Sequence, residues 1–149
     1  MILLAAAALT ALNPLSFFTG ASHGVGTITI LLKGARPIHV TSRGRPDGYG
    51  GMYLDQDVIE GSKPSQARHW YLRPTSGTTL AGSLAPDASG PVEGSLSDHI
   101  LTLSYPMKGG MTAAQTMVLQ PGGRVLLNHM IVKKFGVTVA RIEERISKD

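Results

Sequence analysis

Ten short runs rich in Val, Ile, Leu, Thr and Tyr follow one another along the chain, each bounded by turn-forming residues. Gly, Pro, Asn, Asp and Ser at the boundaries supply a positive φ, a fixed φ or a local side-chain hydrogen bond. No long amphipathic helix separates the runs, which excludes parallel βαβ units. The pattern therefore predicts antiparallel strands in hairpin order over residues 27–33, 38–42, 52–60, 66–73, 79–84, 92–96, 100–107, 113–120, 124–134 and 137–146.

A strand face can be assigned where apolar residues alternate with polar ones. Period two places Leu101, Leu103, Tyr105 and Met107 on one side of their strand, which is predicted to face the interior. Pro106 cannot donate to a ladder and predicts an edge or a bulge, whereas residues 109–110, both Gly, predict a sharp turn. The length of 149 residues suits a single domain. A meander of this kind closes into a barrel or folds into a sandwich.

The N-terminal residues 1–12 are predicted to be a hydrophobic leader, and residues 13–149 the β domain. Residues 2–12 resemble the apolar region of a secretory signal peptide, without the basic residue that normally precedes it. The run is too short to span a bilayer, which needs about 20 residues. Asn13 as an N-cap, Pro14 at the first position and Gly20 at the end predict one helical turn that belongs to the fold. A leader that ends before this turn is degenerate, or the true start lies upstream.

Composition narrows the classes of function. The net charge is +4, but the 14 Lys and Arg are spread along the chain, and four Tyr, three Phe and one Trp leave few aromatic side chains for base stacking. Nucleic acid is therefore not a predicted partner. The absence of Cys excludes a disulfide, a thiolate metal site and a lipid-anchored N-terminal Cys. No nucleophile elbow, phosphate loop, dinucleotide fingerprint or paired-His zinc spacing is present, so no cofactor and no metal are predicted.

An ordered series of short motifs extends over most of the chain. The motifs are FFTG at 17–20, LDQD at 54–57, EG at 60–61, RHW at 68–70, GPVEG at 90–94, LNHM at 127–130 and KFG at 134–136. In this order they resemble the bacterial domain-of-unknown-function family 3833. The resemblance implies an all-β, single antiparallel up-and-down barrel of the lipocalin or calycin kind, an envelope location and no established reaction. The chain departs from the family pattern in having no Cys after its leader and a compact connection at 108–111.

Arg68 and Trp70 are the first candidate ligand-binding residues. They are two apart on one predicted strand, so both side chains point to the same side, which we expect to be the barrel interior. A cation in an apolar interior must be paired or stacked. Arg68 would bind a ligand carboxylate or phosphate while Trp70 covers its apolar tail. Alternatively, the two side chains form a structural plug at one end.

Carboxylates and a histidine are the candidates for acid/base chemistry. Asp55 and Asp57 share one strand face and are the expected partners of Arg68, but no oxygen-rich ligand loop surrounds them. Asn128 and His129 are adjacent, so only one of them can line the interior. Apolar residues flank both, and periodicity does not choose between them.

Three hypotheses follow. The first is a non-enzymatic barrel in the bacterial envelope that binds a small apolar or amphipathic molecule, such as a lipid or a fatty-acid-like compound. The second is an enzyme that isomerises or cyclises an apolar substrate, with Asp55 or His129 as acid or base, which requires an inward side chain. The third is an envelope structural or interaction protein with a large exposed apolar patch and no cavity. The residues predicted to surround the ligand are Arg68, Trp70, Tyr105, Met107 and Asn128.

Location and association are predicted more coarsely. The leader indicates the periplasm or the envelope, and the cytoplasm is the alternative if residues 1–12 are not a signal peptide. Association with a membrane surface stays open, and the sequence does not predict an oligomeric state.

Overall fold

A computed structural model describes residues 12–149, and the predicted leader lies outside the described residues except for Leu12. All ten predicted strands are present, preceded by a 3-10 turn at Ser16–Phe18. The strands are β1 (Gly20–Ile30), β2 (Gly34–Pro46), β3 (Met52–Glu60), β4 (Gln66–Pro74), β5 (Thr79–Ala85), β6 (Val92–Leu96), β7 (Ile100–Met107), β8 (Met111–Leu119), β9 (Val125–Lys134) and β10 (Val137–Lys148).

Each strand pairs antiparallel with the next along the chain, and β1 pairs with β10 to close the sheet. The fold is thus a closed ten-stranded up-and-down barrel, and the predicted lipocalin-like class is confirmed. Inward side chains of alternating residues build one core, with Leu101, Leu126 and Val92 completely buried. Among residues 12–149, no helix is long and apolar enough to cross a membrane.

The first strand begins at Gly20, earlier than the predicted Thr27. Its first half carries Gly and Ser at inward positions, Ser22, Gly24 and Gly26, so it lacks the residues that favour strands. Pairing with β10 on one side and β2 on the other holds this segment extended. Tertiary pairing here overrides local preference.

The end of β7 and the turn that follows it contain Pro106, Gly109 and Gly110. Gly109 and Gly110 have φ of 79° and 75°, so the predicted sharp turn is confirmed. β7 is continuous through Pro106, which pairs with Thr112 of β8 beyond the last β6 partner, Ser104. On that side the β5–β6 connection takes the place of β6, since the N–H of Ser89 donates to the carbonyl of Pro106 at 2.9 Å and Ala88 bridges to Met107. Pro106 thus lies at neither a free edge nor a bulge, and the predicted interruption of this strand is wrong.

The N-terminal turn, residues 13–19, closes one end of the barrel. Oδ1 of Asn13 accepts hydrogen bonds from the N–H groups of Leu15 and Ser16, each at 2.9 Å, which confirms its capping role. Phe17 is fully buried, and Nζ of Lys148 donates to its carbonyl oxygen at 2.5 Å. The turn belongs to the fold and fills this end with apolar side chains. We call it the closed end.

Candidate functional site

The barrel encloses a cavity of about 100 Å³ that extends from the closed end to the β3–β4 turn at the opposite end. Leu15 and Phe18 form its floor, and Lys63 and Pro64 lie beside its mouth. Apolar side chains make up most of the wall, and five inward polar side chains interrupt it: Gln56, Arg68, Gln115, Asn128 and Glu144. The volume is below the ~300–1,000 Å³ of pockets for drug-sized molecules, so the cavity as it stands suits a slender group.

Glu144 and Asn128 form a buried polar pair in this wall. Both side chains are at most 8 % exposed, and Nδ2 of Asn128 donates to Oε1 of Glu144 at 2.9 Å. Oε2 of Glu144 and Oδ1 of Asn128 have no hydrogen-bond donor among residues 12–149. Because a buried acceptor without a donor is costly, the pair is suited to receive hydrogen bonds from a molecule in the cavity.

Burial changes the pKa of the Glu144 carboxyl. Removal from water raises the pKa of this carboxyl, while the hydrogen bond from Asn128 and the charge of Arg68 oppose the rise. Space for the carboxylate comes from Gly24 on β1, since a methyl group there would lie 2.0 Å from Oε2. The glycine thus makes room for a buried carboxyl beside the cavity.

Gln115 contributes a third free acceptor. Its Nε2 donates to the Tyr105 hydroxyl at 3.0 Å and lies 3.3 Å from the sulfur of Met130. Its Oε1 is buried and has no donor within the described part of the chain. Burial raises the pKa of Tyr105 to about 12, so its hydroxyl stays protonated at neutral pH. Three acceptor oxygens from β8, β9 and β10 therefore lie in one wall.

Arg68 projects inward as predicted, but its expected partner is wrong. Its Nε lies 2.8 Å from Oδ2 of Asp87, in the β5–β6 connection, and not near Asp55 or Asp57. This N–H is not aimed at the carboxylate, so the contact is an ion pair without a hydrogen bond. The charge of Arg68 is partly neutralised by the protein itself, which reduces the need for an anionic ligand.

Trp70 lies in the cavity wall at 7 % exposure. Its Nε1 donates to Oε1 of Gln56 at 2.8 Å, and its ring packs edge-on against Tyr105 with centroids 5.7 Å apart. The indole is held in one orientation and presents apolar surface to the cavity. Tyr105 and Met107, also predicted to surround the ligand, do not line the cavity: Tyr105 is buried behind Trp70, and Met107 is half-buried against the core.

The two predicted acid/base residues lie on the outer face of the barrel. Asp55 is 2.7 Å from Nδ1 of His69, and both side chains are exposed. His129 pairs with Glu143, also outside. The structure thus selects Asn128, and not His129, as the inward member of its pair. The enzyme hypothesis required an inward Asp55 or His129, and neither side chain points inward.

Sequence reasoning missed the inward carboxyl and both glutamines. Glu144 lies between Ile142 and Ile146 at the two-residue spacing of one strand face. Gln56 and Gln115 likewise interrupt apolar alternation on β3 and β8. A polar residue at an inward position of an alternating series is the signal that could have found them. No cluster of three His, Asp or Glu side chains suited to a metal ion occurs in residues 12–149.

Comparison with protein-family models and with curated proteins finds no match. The resemblance to family 3833 therefore stays a prediction. The fold is similar to the S-type phycobiliprotein lyase of Guillardia theta, with a TM-score of 0.67 and 8 % identity over 91 % of this chain and 90 % of the lyase. It is also similar to a DUF3598-family protein of unknown function from Nostoc punctiforme, with a TM-score of 0.64 and 13 % identity over 93 % of this chain.

The chain spans 50 % of the length of the DUF3598 protein. At these identities the likeness concerns the fold alone.

Proposed function

We propose that the barrel binds one small amphipathic molecule in its interior. The observation that carries the proposal is a cavity whose mostly apolar wall contains three buried acceptor oxygens without protein donors, on Gln115, Asn128 and Glu144. An apolar ligand body would contact the wall, and a head group with N–H or O–H donors would satisfy the acceptors. The similar barrel of a phycobiliprotein lyase supports a small-molecule role for this interior.

The polar groups favour a hydrogen-bond donor over a carboxylate as the head group. A carboxylate head carries no hydrogen that the three free acceptors could receive, and Arg68 is already paired with Asp87. The ligand class that fits is a slender alkyl chain with an amine, amide or hydroxyl head. A fatty acid, expected from the sequence, is the less favoured member of the amphipathic class.

Trp70 provides the readout, because it is the single Trp of the chain and lies in the cavity wall. Titration with butylamine, butanol and butanoic acid, whose short chains suit a cavity of about 100 Å³, should change its emission saturably, with the amine or the alcohol binding more tightly than the acid. Glu144→Gln removes an acceptor and should weaken amine binding about tenfold or more, the worth of a hydrogen bond to a charged group. Glu143→Gln, one residue away on the outer face, is the matched control and should bind like the wild type.

Native mass spectrometry of protein purified from its own cells complements the titration, because a co-purifying molecule would identify the natural ligand. The proposal fails if none of the three probes changes the emission of Trp70 and no small molecule co-purifies. It fails equally if Glu143→Gln reduces binding as much as Glu144→Gln.

A second candidate function is an enzyme with Glu144 as the acid or base. A buried carboxyl with a raised pKa, oriented by Asn128 beside a cavity, has the properties of a general acid. Incubation of a co-purified ligand with wild-type protein would then change its mass or chromatographic retention, and Glu144→Gln would abolish the change. An unchanged ligand excludes this candidate and leaves binding intact.

A further inference from the structure

Three neighbouring hairpin tips at the mouth end of the barrel expose apolar side chains to water. The β1–β2 tip exposes Leu32 at 97 %, and the β9–β10 tip exposes Phe135 at 81 %, with Leu31 and Val137 beside them. The N–H of Leu31 donates to the carbonyl of Val139 at 2.9 Å, which joins these two tips. The Phe135 ring lies over Gly110 of the β7–β8 tip, where an added methyl group would be 2.6 Å from the ring.

Four exposed lysines surround these apolar side chains: Lys33, Lys108, Lys133 and Lys134. The turns at 31–33, 108–110 and 134–137 contain no Asp or Glu. None of the four lysines forms an ion pair with another residue of the described chain. We call the four apolar and four basic side chains the tip surface.

Leu32 and Phe135 have φ of 64° and 48°. Glycine or Asn adopts this left-handed region most easily, and bulky side chains are rare there. Leu32 and Phe135 therefore adopt a backbone conformation that is unfavourable for bulky residues, and their apolar side chains are exposed to water, which is also unfavourable. The fold of residues 12–149 buries little of either side chain, so most of their apolar surface is free to contact a partner outside the barrel.

We propose that the tip surface docks the barrel onto an anionic lipid bilayer. Leucine and phenylalanine side chains would enter the boundary between head groups and acyl chains, and the lysines would contact anionic head groups. Charge complementarity selects an anionic membrane over a neutral apolar partner, because the three tips carry lysines and no carboxylate, and the carboxylates at this end, Glu60 and Asp87, are already paired with basic side chains. The cavity mouth opens at the same end, which would place it toward the lipid. This docking does not depend on whether the interior binds a ligand.

Sedimentation of the full chain with vesicles tests the proposal. Vesicles of phosphatidylglycerol and phosphatidylcholine in about a 3:7 ratio should retain the protein, and added salt or pure phosphatidylcholine should weaken retention. Leu32→Asn and Phe135→Asn should each weaken binding about tenfold, and Lys134→Gln about fivefold. Asn tolerates a positive φ, so the first two variants should fold at least as stably as the wild type.

Tyr49 is the matched control, because it is 92 % exposed in the β2–β3 loop at the closed end. Tyr49→Asn should bind vesicles like the wild type, as should Arg73→Gln, whose side chain is exposed toward the same end. Absence of vesicle binding by the wild type overturns the proposal. It is also overturned if the tip variants bind as tightly as the wild type, which would assign binding to another segment such as residues 1–11, or if Tyr49→Asn causes an equal loss.

Discussion

Phe17→Ala should destabilise the protein strongly, because the N-terminal turn is part of the barrel core. Phe17 has no exposed surface, packs edge-on against Phe18 with ring centroids 5.4 Å apart, and lies beneath Nζ of Lys148 at 5.1 Å. The hydrogen bond from Lys148 goes to the backbone carbonyl of Phe17 and is preserved in the variant. The substitution therefore isolates the contribution of the ring.

The expected loss follows from the burial of this side chain. Complete truncation of a buried Phe costs about 3–5 kcal/mol of unfolding free energy. A domain of ordinary stability has about 5–15 kcal/mol in total, so the variant should approach the limit of folding. With a urea dependence of about 2 kcal/mol per molar, the unfolding midpoint should fall by roughly 2 M.

Urea unfolding followed by Trp70 fluorescence measures the change. Phe135→Ala is the matched control, because it makes the same truncation at a side chain that is 81 % exposed. Its unfolding free energy should remain within about 0.5 kcal/mol of the wild type. A loss below about 1 kcal/mol for Phe17→Ala, or equal losses for the two variants, would refute the assignment of the N-terminal turn to the core.

Three further predictions concern the site and one surface turn. Gly24→Ala places a methyl group 2.0 Å from Oε2 of Glu144 and should lower the unfolding free energy, measured in urea, by about 1–3 kcal/mol. The loss should be smaller when Glu144 is also replaced by Ala. Equal losses with and without Glu144 would contradict the contact. Burial raises the folded-state pKa of Glu144 above 4.5, so the native state holds its proton longer than the unfolded chain, and stability falls as pH rises from 4.5 through the folded pKa. Glu144→Gln should remove that fall and be more stable than the wild type at neutral pH, and an unchanged pH profile in urea unfolding would count against a raised pKa. The Tyr71 hydroxyl donates to Asp47 at 2.7 Å, and this hydrogen bond is the main reason why the pKa of the Asp47 carboxyl is lowered. Tyr71→Phe should therefore move that pKa back toward 3.8 in an NMR titration, and no movement would exclude the bond.

Strand positions and faces could be predicted because they depend on neighbours along the chain. Alternation assigned Leu101 and Leu103 to the interior, and both are buried. The same rule also places Glu144 inward, between Ile142 and Ile146, although a search for known catalytic motifs passes over it. Part of the candidate site could thus be predicted from polar residues that interrupt the apolar face of a strand.

Other features of the site depend on contacts between distant segments. β9 carries apolar residues on both faces, so its alternation cannot assign Asn128 and His129; the closed sheet decides, with Asn128 inside beside Glu144. The partner of Arg68 is set by the path of the β5–β6 connection, which brings Asp87 to it. Asp55 is closer to Arg68 along the chain and was the expected partner, but it lies on the opposite face of the sheet.

The ten strands, their order as a meander and the capped N-terminal turn were determined by the sequence alone, because φ preferences, period-two alternation and side-chain caps act over a few residues. Closure, the start of β1 and the cavity were decided by tertiary structure. β1 and β10 pair across almost the whole chain, from Ser22 with Lys148 to Ile30 with Ala140. No local preference encodes a pairing at that separation. This pairing closes the sheet into a barrel, whose interior contains the buried carboxyl of Glu144.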